Sequence, residues 1–254
     1  MTKSSSATDY TVCWIGNAGW LLRVGSINVL IDPDLDDNEE RKSLAGIPEG
    51  CVTGADAVLI THEHGDHLNV PTISRLATES ECRFIVPASC LHTVVKAGVA
   101  EHRIIIAHHD KTIELFSHDF TVTPKPAVHG APFGAVHKHY HAADCGYLIR
   151  AMGITLFHPG DSVLLEEHFY LPNVDILMIS PTEHNTNIDQ SLILIEQLDP
   201  KFIFPQHRDT YVEDDSNYFW THANDKELYE ALDEKFKKRW YSLKQGEFFT
   251  IPTT

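Results

Sequence analysis

The sequence is poor in basic residues and in long apolar runs. Its 254 residues include 20 Lys or Arg against 36 Asp or Glu, a formal net charge of −16. A chain with this balance repels phosphate backbones and anionic lipids, so we expect neither a large nucleic acid nor a membrane as its partner. No apolar stretch approaches the ~20 residues that a membrane-spanning helix needs, and the first ten residues lack the apolar segment of a secretory signal.

Cysteine is also scarce, and its spacing excludes two kinds of site. The five cysteines are odd in number and contain no Cys-x-x-Cys pair, which argues against a disulfide framework and against a thiolate zinc site. We therefore expect a soluble, reduced, cytoplasmic protein. Residues 1–254 are enough for one domain whose core needs no metal to hold it together. Self-association into a homo-oligomer is compatible with the sequence.

Histidine, in contrast, is abundant, and three of the 17 histidines lie in one short segment. The six residues from His62 to His67 read His-Glu-His-Gly-Asp-His and follow the apolar run 55–60. Imidazole nitrogens combined with the Asp66 carboxylate suit a divalent transition metal. Four donors within six positions exceed what one tetrahedral ion usually takes from a single loop, which favours two neighbouring ions. A solvated polar loop is the alternative.

Three more candidate donors each follow an apolar segment that we predict to be a strand: His129 after 121–128, Asp161 after 154–157 and His207 after 201–204. Side chains at the carboxyl ends of strands gather at one edge in α/β folds, so we expect these three near the histidine loop. Gly160 would permit the sharp exit that turns Asp161 inward. The alternatives are a histidine between 137 and 141 in place of His129, a helix cap at Asp161 and a surface position for His207.

The order of predicted elements favours two β-sheets packed face to face with helices outside. Hairpins are predicted at Gly25-Ser26 and at Met152-Gly153, where turn residues separate apolar runs. Helices are predicted over 188–198 and over 224–241. The order of strands first and then strands mixed with helices occurs twice along the chain. This repetition divides the chain into halves of about 10–125 and 126–254.

The pattern His62-x-His64-x-Asp66-His67, with the later donors in this order, resembles the metallo-β-lactamase superfamily. The resemblance implies an α/β (α+β) fold of the αββα sandwich type, with a two-metal site in the cleft between the halves. It also implies the ligand sets: His62, His64 and His129 for one ion, Asp66, His67 and His207 for the other, and Asp161 as the bridge. Asp32, in its Leu30-Ile31-Asp32-Pro33 context, would orient the metal loop; a turn-initiating Asp is the alternative.

A narrower similarity concerns the ascorbate-6-phosphate lactonase group, through residues 60–64, 68–72 and 205–207. The lactonases of that group are longer than this chain. The function we expect is hydrolysis of a small ester or lactone, with or without a phosphate group, by a hydroxide that bridges two divalent ions. The resemblance assigns Asp66 a catalytic role in moving the proton. Zinc is the expected ion because imidazole dominates, with manganese and iron as alternatives, and affinity should fall below about pH 6 as imidazoles become protonated.

Candidate substrate contacts are fewer. His184 follows the predicted strand 174–179 and would leave the same rim, where it could contact the substrate or lie in a surface loop. Segment 130–143 carries four basic or titratable side chains, which fits either a lid over an anionic small molecule or a solvated loop. Tyr140 and Tyr211 are weaker candidates for donors to an oxyanion.

Three other functions are compatible with the same residues. A phosphodiesterase or nuclease on this fold is the enzymatic alternative, although the negative net charge argues against a large nucleic-acid substrate. A non-catalytic, metal-bound scaffold is the alternative of another class. A diiron oxidoreductase is a further alternative, but the resemblance implies that such members carry an acid where His64 stands.

Overall fold

The computed structural model describes residues 9–36, 39–44, 46–131 and 140–252. Within these ranges, thirteen strands form two sheets and six α-helices accompany them. The strands are β1 (Tyr10–Gly16), β2 (Gly19–Val24), β3 (Ile27–Ile31), β4 (Ala57–Leu59), β5 (Arg83–Pro87), β6 (Ile104–Ala107), β7 (Ile113–Ser117), β8 (Phe120–Pro126), β9 (Cys145–Ala151), β10 (Ile154–His158), β11 (Ile176–Ile179), β12 (Phe202–Pro205) and β13 (Phe248–Ile251). The helices are α1 (Val70–Glu79), α2 (Leu91–Lys96), α3 (Ile188–Leu198), α4 (Tyr218–Thr221), α5 (Asp225–Ala231) and α6 (Glu234–Lys237).

The first sheet has the strand order β13-β1-β2-β3-β4-β5-β6. The hairpin predicted at Gly25-Ser26 is confirmed, with Val24 paired to Ile27 and Gly25 in the left-handed region at φ 60°. From β3 to β6 the neighbouring strands pair in parallel. The carboxyl end of β4, where the histidine loop begins, therefore lies at the same edge as the carboxyl end of β3.

The second sheet has the order β12-β11-β10-β9-β8-β7. The hairpin predicted at Met152-Gly153 is confirmed by the pairing of Ala151 with Ile154. Strand β9 is antiparallel to both β8 and β10, while β11 and β12 run parallel to β10. Four strands of this sheet, β8, β10, β11 and β12, therefore point in one direction and end at one edge.

Three apolar clusters separate the layers. The largest lies between the sheets and joins side chains such as Trp20 and Leu59 of the first sheet to Tyr147 and Phe204 of the second. A second cluster packs the outer face of the first sheet against α1 and α2, and a third packs the outer face of the second sheet against α3, α5 and α6. Alternate strand residues enter opposite clusters, so the layer order is the predicted αββα.

Two predictions about the elements need correction. The change from one sheet to the other falls between Ala107 and Ile113 rather than near residue 125, because β7 pairs with β8 in the second sheet. Strand β13 then returns to pair with β1. The helix predicted over 224–241 is interrupted, because Leu232 adopts an extended conformation (φ −67°, ψ 145°) and enters the third cluster.

The residues described include no helix that is both long enough and apolar enough to cross a bilayer. The five cysteines all lie within the described ranges, and each is buried and unpaired. None of the five belongs to a described group of candidate metal donors.

Tyr147 offers a test of how the two sheets are held together. Its hydroxyl, buried in the second sheet, donates to the Ile60 carbonyl beside the histidine loop at 2.6 Å. Tyr147→Phe removes this donor without changing the packed ring, so we expect a loss of about 1–2 kcal/mol in the free energy of unfolding, measured in urea. Tyr170→Phe is the control, because Tyr170 is 75% exposed and loss of its hydroxyl should change the free energy of unfolding little. Equal stability of the two variants would show that the Tyr147 hydroxyl does not help to hold the two sheets together.

Candidate metal centre

The candidate donors converge at the edge where the parallel strands end. Shortly after β8 comes His129, after β10 comes Asp161, after β11 comes His184 and after β12 comes His207. The histidine loop reaches the same place from β4 in the other sheet, and Cys145 N donates to the Thr61 carbonyl across the gap at 3.0 Å. The structure thus brings together all seven of the predicted metal donors: His62, His64, Asp66, His67, His129, Asp161 and His207.

The histidine loop is a compact turn fixed at both ends. The amides of His67 and Leu68 both donate to the His64 carbonyl, at 3.0 and 2.7 Å. Asn69 then caps α1 by accepting from Thr72 N at 2.9 Å. Because the loop is closed by β4 on one side and by a capped helix on the other, its side chains are held in register before any ligand binds.

The donor atoms fall into two groups with a carboxylate between them. The donors of His62, His64 and His129 lie within 4.8 Å of one another, and so do those of Asp66, His67 and His207. Asp161 places Oδ1 3.3 Å from His67 Nε2, and it places Oδ2 3.3 Å from both His129 Nε2 and His207 Nε2. Asp161 therefore lies within reach of donors from both groups.

The residues fit metal ions because several of their buried polar atoms have no hydrogen-bond partner. His67 Nε2, His207 Nε2 and Asp161 Oδ1 are all in this state. An unsatisfied buried polar atom costs ~1–3 kcal/mol, and native structures keep few of them. Cations bound among these atoms would satisfy all three, and imidazole with carboxylate is the donor set that zinc and related divalent ions take.

Asp32 lies directly behind the histidine loop, fully buried and in the left-handed region at φ 41°. Its Oδ1 accepts from Thr61 N at 2.8 Å, and its Oδ2 accepts from Thr61 Oγ1 at 2.6 Å and from His67 Nδ1 at 2.8 Å. With Nδ1 donating to Asp32, the Nε2 atom of His67 is directed toward the centre. These contacts would allow Asp32 to orient His67, and that role stays a prediction.

His184 lies deeper than the sequence suggests. It is buried rather than in a surface loop, and its Nε2 atom lies 2.9 Å from Asp161 Oδ2. Thr182 Oγ1 lies 3.1 Å from its Nδ1 atom, so a Thr182 hydroxyl donating there leaves Nε2 to donate to the carboxylate. His129, Asp161 and His184 also form a group of candidate metal donors that the sequence analysis did not anticipate. His184 also lines the cavity described below. Its predicted contact with the substrate stays a prediction.

Asn17 is a contact of the centre that the sequence analysis missed. Its Nδ2 donates to Asp66 Oδ2 at 3.0 Å, and its carbonyl accepts from His207 N at 2.8 Å. The only signal in the sequence is the Gly16-Asn17 dipeptide, which indicates a turn and nothing more. Asn17 therefore connects the end of β1 to His207 and fixes one carboxylate oxygen of Asp66. Both residues belong to the donor group of Asp66, His67 and His207.

The other candidates have separate outcomes. The Tyr211 hydroxyl donates to buried Asp34 at 2.5 Å, and its predicted role as a donor to an oxyanion stays a prediction. Of the predicted lid, residues 132–139, including His137, Lys138 and His139, lie outside the described residues. His141, at the end of that segment, has Nε2 3.1 Å from Glu63 Oε1 at the rim.

The protonation states differ between the two donor groups. Burial lowers the pKa of His62, and it lowers the pKa of His64 to about 4. For His67 and His207 burial acts in the same direction, but the Asp161 and Asp66 carboxylates outweigh it, raising the pKa of His67 and bringing that of His207 to about 9. Burial raises the pKa of Asp66 and Asp161, yet the neighbouring imidazoles His67 and His207 keep both below the ordinary value.

A cavity of about 260 Å³ opens onto the centre. Its walls combine metal-donor side chains with two aromatic rings: His64, Gly65, Asp66, His129, Asp161, His184, Phe219 and Trp220. The rings come from α4, a four-residue helix that the sequence analysis did not predict. They are the second set of site residues that the sequence analysis missed.

Comparison with known proteins agrees with the fold and with dependence on a metal. Residues 11–207 match the family model of the beta-lactamase superfamily domain. The chain belongs to the metallo-β-lactamase superfamily. Within this superfamily it is similar to a UPF0173 metal-dependent hydrolase of Carboxydothermus hydrogenoformans, with 30% identity over 205 residues that cover 79% of this chain and 85% of the relative. The chain is thus a metal-dependent hydrolase of the superfamily.

Two solved structures of metallo-β-lactamase fold illustrate the range of this architecture. Igni18, a metallo hydrolase from Ignicoccus hospitalis, superposes with a TM-score of 0.68 at 19% identity, covering 97% of this chain and 100% of the other. CmlA, a diiron β-hydroxylase from Streptomyces venezuelae, superposes with a TM-score of 0.69 at 17% identity, covering 98% of this chain and 55% of the other. At these identities the likeness concerns the fold alone.

Asp32→Ala tests the orienting contact. The change frees the Nδ1 atom of His67 and the Thr61 amide and hydroxyl, so we expect metal affinity to fall by about 10- to 100-fold, measured by competition with a chromophoric chelator. Asp189→Ala, at an exposed position in the first turn of α3, is the matched control and should leave the affinity unchanged. Unaltered affinity in the Asp32 variant would show that the buried carboxylate does not act through His67.

Proposed function

We propose that the chain hydrolyses a small ester or lactone with a centre of two divalent ions, zinc being the expected metal. The observation that carries the proposal is the position of Asp161 between two groups of donors, because a single ion would not need both. His62, His64 and His129 would hold one ion, Asp66, His67 and His207 would hold the other, and Asp161 would contact both. Ions bound there would polarise the carbonyl oxygen under attack and bring the pKa of water in the site toward ~7.

The chain's own residues supply position and proton transfer. Asp66 is the most exposed carboxylate of the centre, with 18% of its side chain accessible, and it lines the cavity. The Nδ2 atom of Asn17 donates to Oδ2 of Asp66 and so fixes the plane of the Asp66 carboxylate. In the proposed reaction Asp66 accepts the proton of the attacking water and delivers it to the leaving oxygen, so that the bond to that oxygen breaks without forming an alkoxide.

His184 and Asp32 keep the centre in one arrangement during that transfer. His184 donates to Asp161 Oδ2, and Asp32 accepts from His67 Nδ1. The Asp32 contact fixes the His67 ring at the nitrogen other than Nε2, and the His184 contact fixes the orientation of the Asp161 carboxylate. A centre organised in this way before the substrate arrives needs little rearrangement during the reaction.

A diiron oxidoreductase is the second candidate, since the fold of CmlA, a diiron β-hydroxylase, covers 98% of this chain. The observation against it is His64, whose imidazole completes an all-nitrogen group with His62 and His129. A histidine-rich group favours zinc over the carboxylate-rich surroundings typical of oxygen-activating iron. Iron with a visible absorption band in the isolated protein would favour the oxidoreductase instead.

The activity is tested on a panel of lactones, esters, thioesters and phosphodiesters, with His64→Ala and Asp161→Ala as variants. Each variant removes a donor that the proposal requires, so we expect kcat/KM to fall by more than ~10³-fold while circular dichroism stays unchanged. His118→Ala is the control, because the His118 side chain is 91% exposed and far from the cavity lining. Turnover of phosphodiesters alone would favour the phosphodiesterase alternative, and wild-type rates in both variants would refute the centre.

A further prediction concerns the order in which the two donor groups bind metal. The raised pKa of His67 and the value of about 9 for His207 mean that an ion must displace protons from the second group at neutral pH. His64, with a pKa of about 4, is already neutral there. Affinity of the second group should therefore fall as the pH drops from about 9, a dependence that His62 and His64 do not give the first group near neutral pH.

The measurement is metal content after dialysis at about pH 6 and about pH 8, with titration calorimetry in two buffers of different ionisation enthalpy. We expect one tightly bound ion at the lower pH and two at the higher, with proton release accompanying the second. His207→Ala should remove the second binding event and keep the first. Two events with the same pH dependence would contradict the assignment of protonation states.

A further inference from the structure

The wall opposite the metal donors is aromatic and half-buried. Phe219 and Trp220 lie on α4 and line the cavity together with His184 and Asp161. The Phe219 ring meets the His184 imidazole edge to face, with ring centroids 5.4 Å apart. Two large apolar side chains that keep part of their surface exposed beside a polar centre are typical of a ligand-binding wall.

The wall is fixed at both ends rather than free at the surface. On one side Tyr211 and Arg41 form a β-bridge, and the Tyr211 ring packs edge to face against Trp220 at 5.3 Å. On the other side Asn224 N donates to the Pro181 carbonyl at 2.8 Å, next to the segment that carries His184. The two rings are therefore held in position before a substrate binds, which reduces the entropy lost on binding.

The charge of the lining restricts what can contact these rings. Among the described residues that line the cavity, the charged side chains are Asp66 and Asp161, and both belong to the proposed metal ligands. Arg208, which follows His207 in the chain, is turned away, with its guanidinium over the Trp14 ring at 4.3 Å. The described lining thus offers an anionic substituent no Lys or Arg side chain, while it offers a neutral ring two aromatic side chains.

We propose that Phe219 and Trp220 are the specificity-determining residues of the site, and that the substrate is an ester or lactone with a neutral aromatic substituent that packs against them. This inference rests on the proposed ester or lactone hydrolysis. A cavity of about 260 Å³ is smaller than the ~300–1,000 Å³ typical of drug-sized ligands. It accommodates a single ring beside the reacting group, and aromatic side chains favour a ring through edge-to-face and offset-stacked contacts.

The test compares γ-butyrolactones that differ only in the γ-substituent: phenyl, cyclohexyl, methyl or phosphonooxymethyl. We expect kcat/KM for the phenyl compound to exceed that for the methyl compound by about 10- to 100-fold, because burying a ring against the wall adds binding energy that methyl cannot supply. The cyclohexyl compound should fall between them. A phosphonooxymethyl or methyl compound turned over as well as the phenyl compound would overturn the proposal.

Three variants locate the preference on the wall. Phe219→Ala and Trp220→Ala should each reduce the phenyl-to-methyl ratio to within about threefold of one. Tyr218→Ala is the matched control, because Tyr218 lies on the same short helix but is 51% exposed and stacks on His222 instead. The control should keep the wild-type ratio, and loss of the ratio in all three variants would indicate a disturbed helix rather than a contact.

A binding measurement separates this proposal from the activity itself. Titration of the metal-loaded protein with 4-hydroxy-4-phenylbutanoate, the product of the phenyl lactone, should change the fluorescence of Trp220, and Trp220→Phe should remove that change while keeping the phenyl preference. Product binding without hydrolysis of any lactone or ester would refute the proposed function and keep the aromatic wall. Hydrolysis of all the lactones at similar rates, with no fluorescence change on adding the product, would refute the wall and keep the function.

Discussion

The contact of the buried Asp161 carboxylate with its imidazole neighbours is the interaction on which the arrangement of the centre depends. One oxygen faces His67, and the other faces His129, His184 and His207. A buried carboxylate is stable only when positive charge or strong hydrogen bonds compensate it. The residues that do so follow four other strands, β4 in the first sheet and β8, β11 and β12 in the second. The carboxylate can therefore be satisfied only when β8, β10, β11 and β12 end at one edge, next to the loop after β4. The compensation of the buried Asp161 carboxylate therefore requires the parallel direction of those strands.

Three residues of the centre adopt a strained backbone conformation. Asp32 and His207, both non-glycine residues, adopt the left-handed conformation at φ 41° and φ 58°, and Asn17 beside them does so at φ 47°. Such conformations cost about 1–3 kcal/mol each and persist only where the surroundings fix them. Here the surroundings are the hydrogen bonds from Thr61 and His67 to Asp32 and from His207 to Asn17. The site is held by these contacts, and the αββα core supplies the stability that offsets the strain.

The sequence predicts most of the fold and much of the centre because those parts depend on local patterns. Turn residues at Gly25-Ser26 and Met152-Gly153 separate alternating apolar runs, and a polar loop of dense metal donors follows a buried strand. Gly160, at φ 64°, leads into Asp161 as its position predicts. Parts set by distant contacts escaped prediction. Leu232 interrupts a helical pattern to enter the core, Asn17 reaches Asp66 across a long separation in the chain, and α4 is too short to show helical periodicity.

The distinction between local patterns and distant contacts also applies to the two parts of the site, the metal donors and the aromatic residues of the cavity wall. The match to the family model ends at residue 207, which is the last of the predicted metal donors. Phe219 and Trp220 lie beyond it, on a segment that folds back to the cavity and is tied there by Tyr211 and Asn224. A centre that polarises carbonyl groups discriminates poorly among esters, because the reacting atoms are common to all of them. Discrimination must then come from contacts with the rest of the substrate, and within the described lining the rings after residue 207 are the large apolar surface available for it.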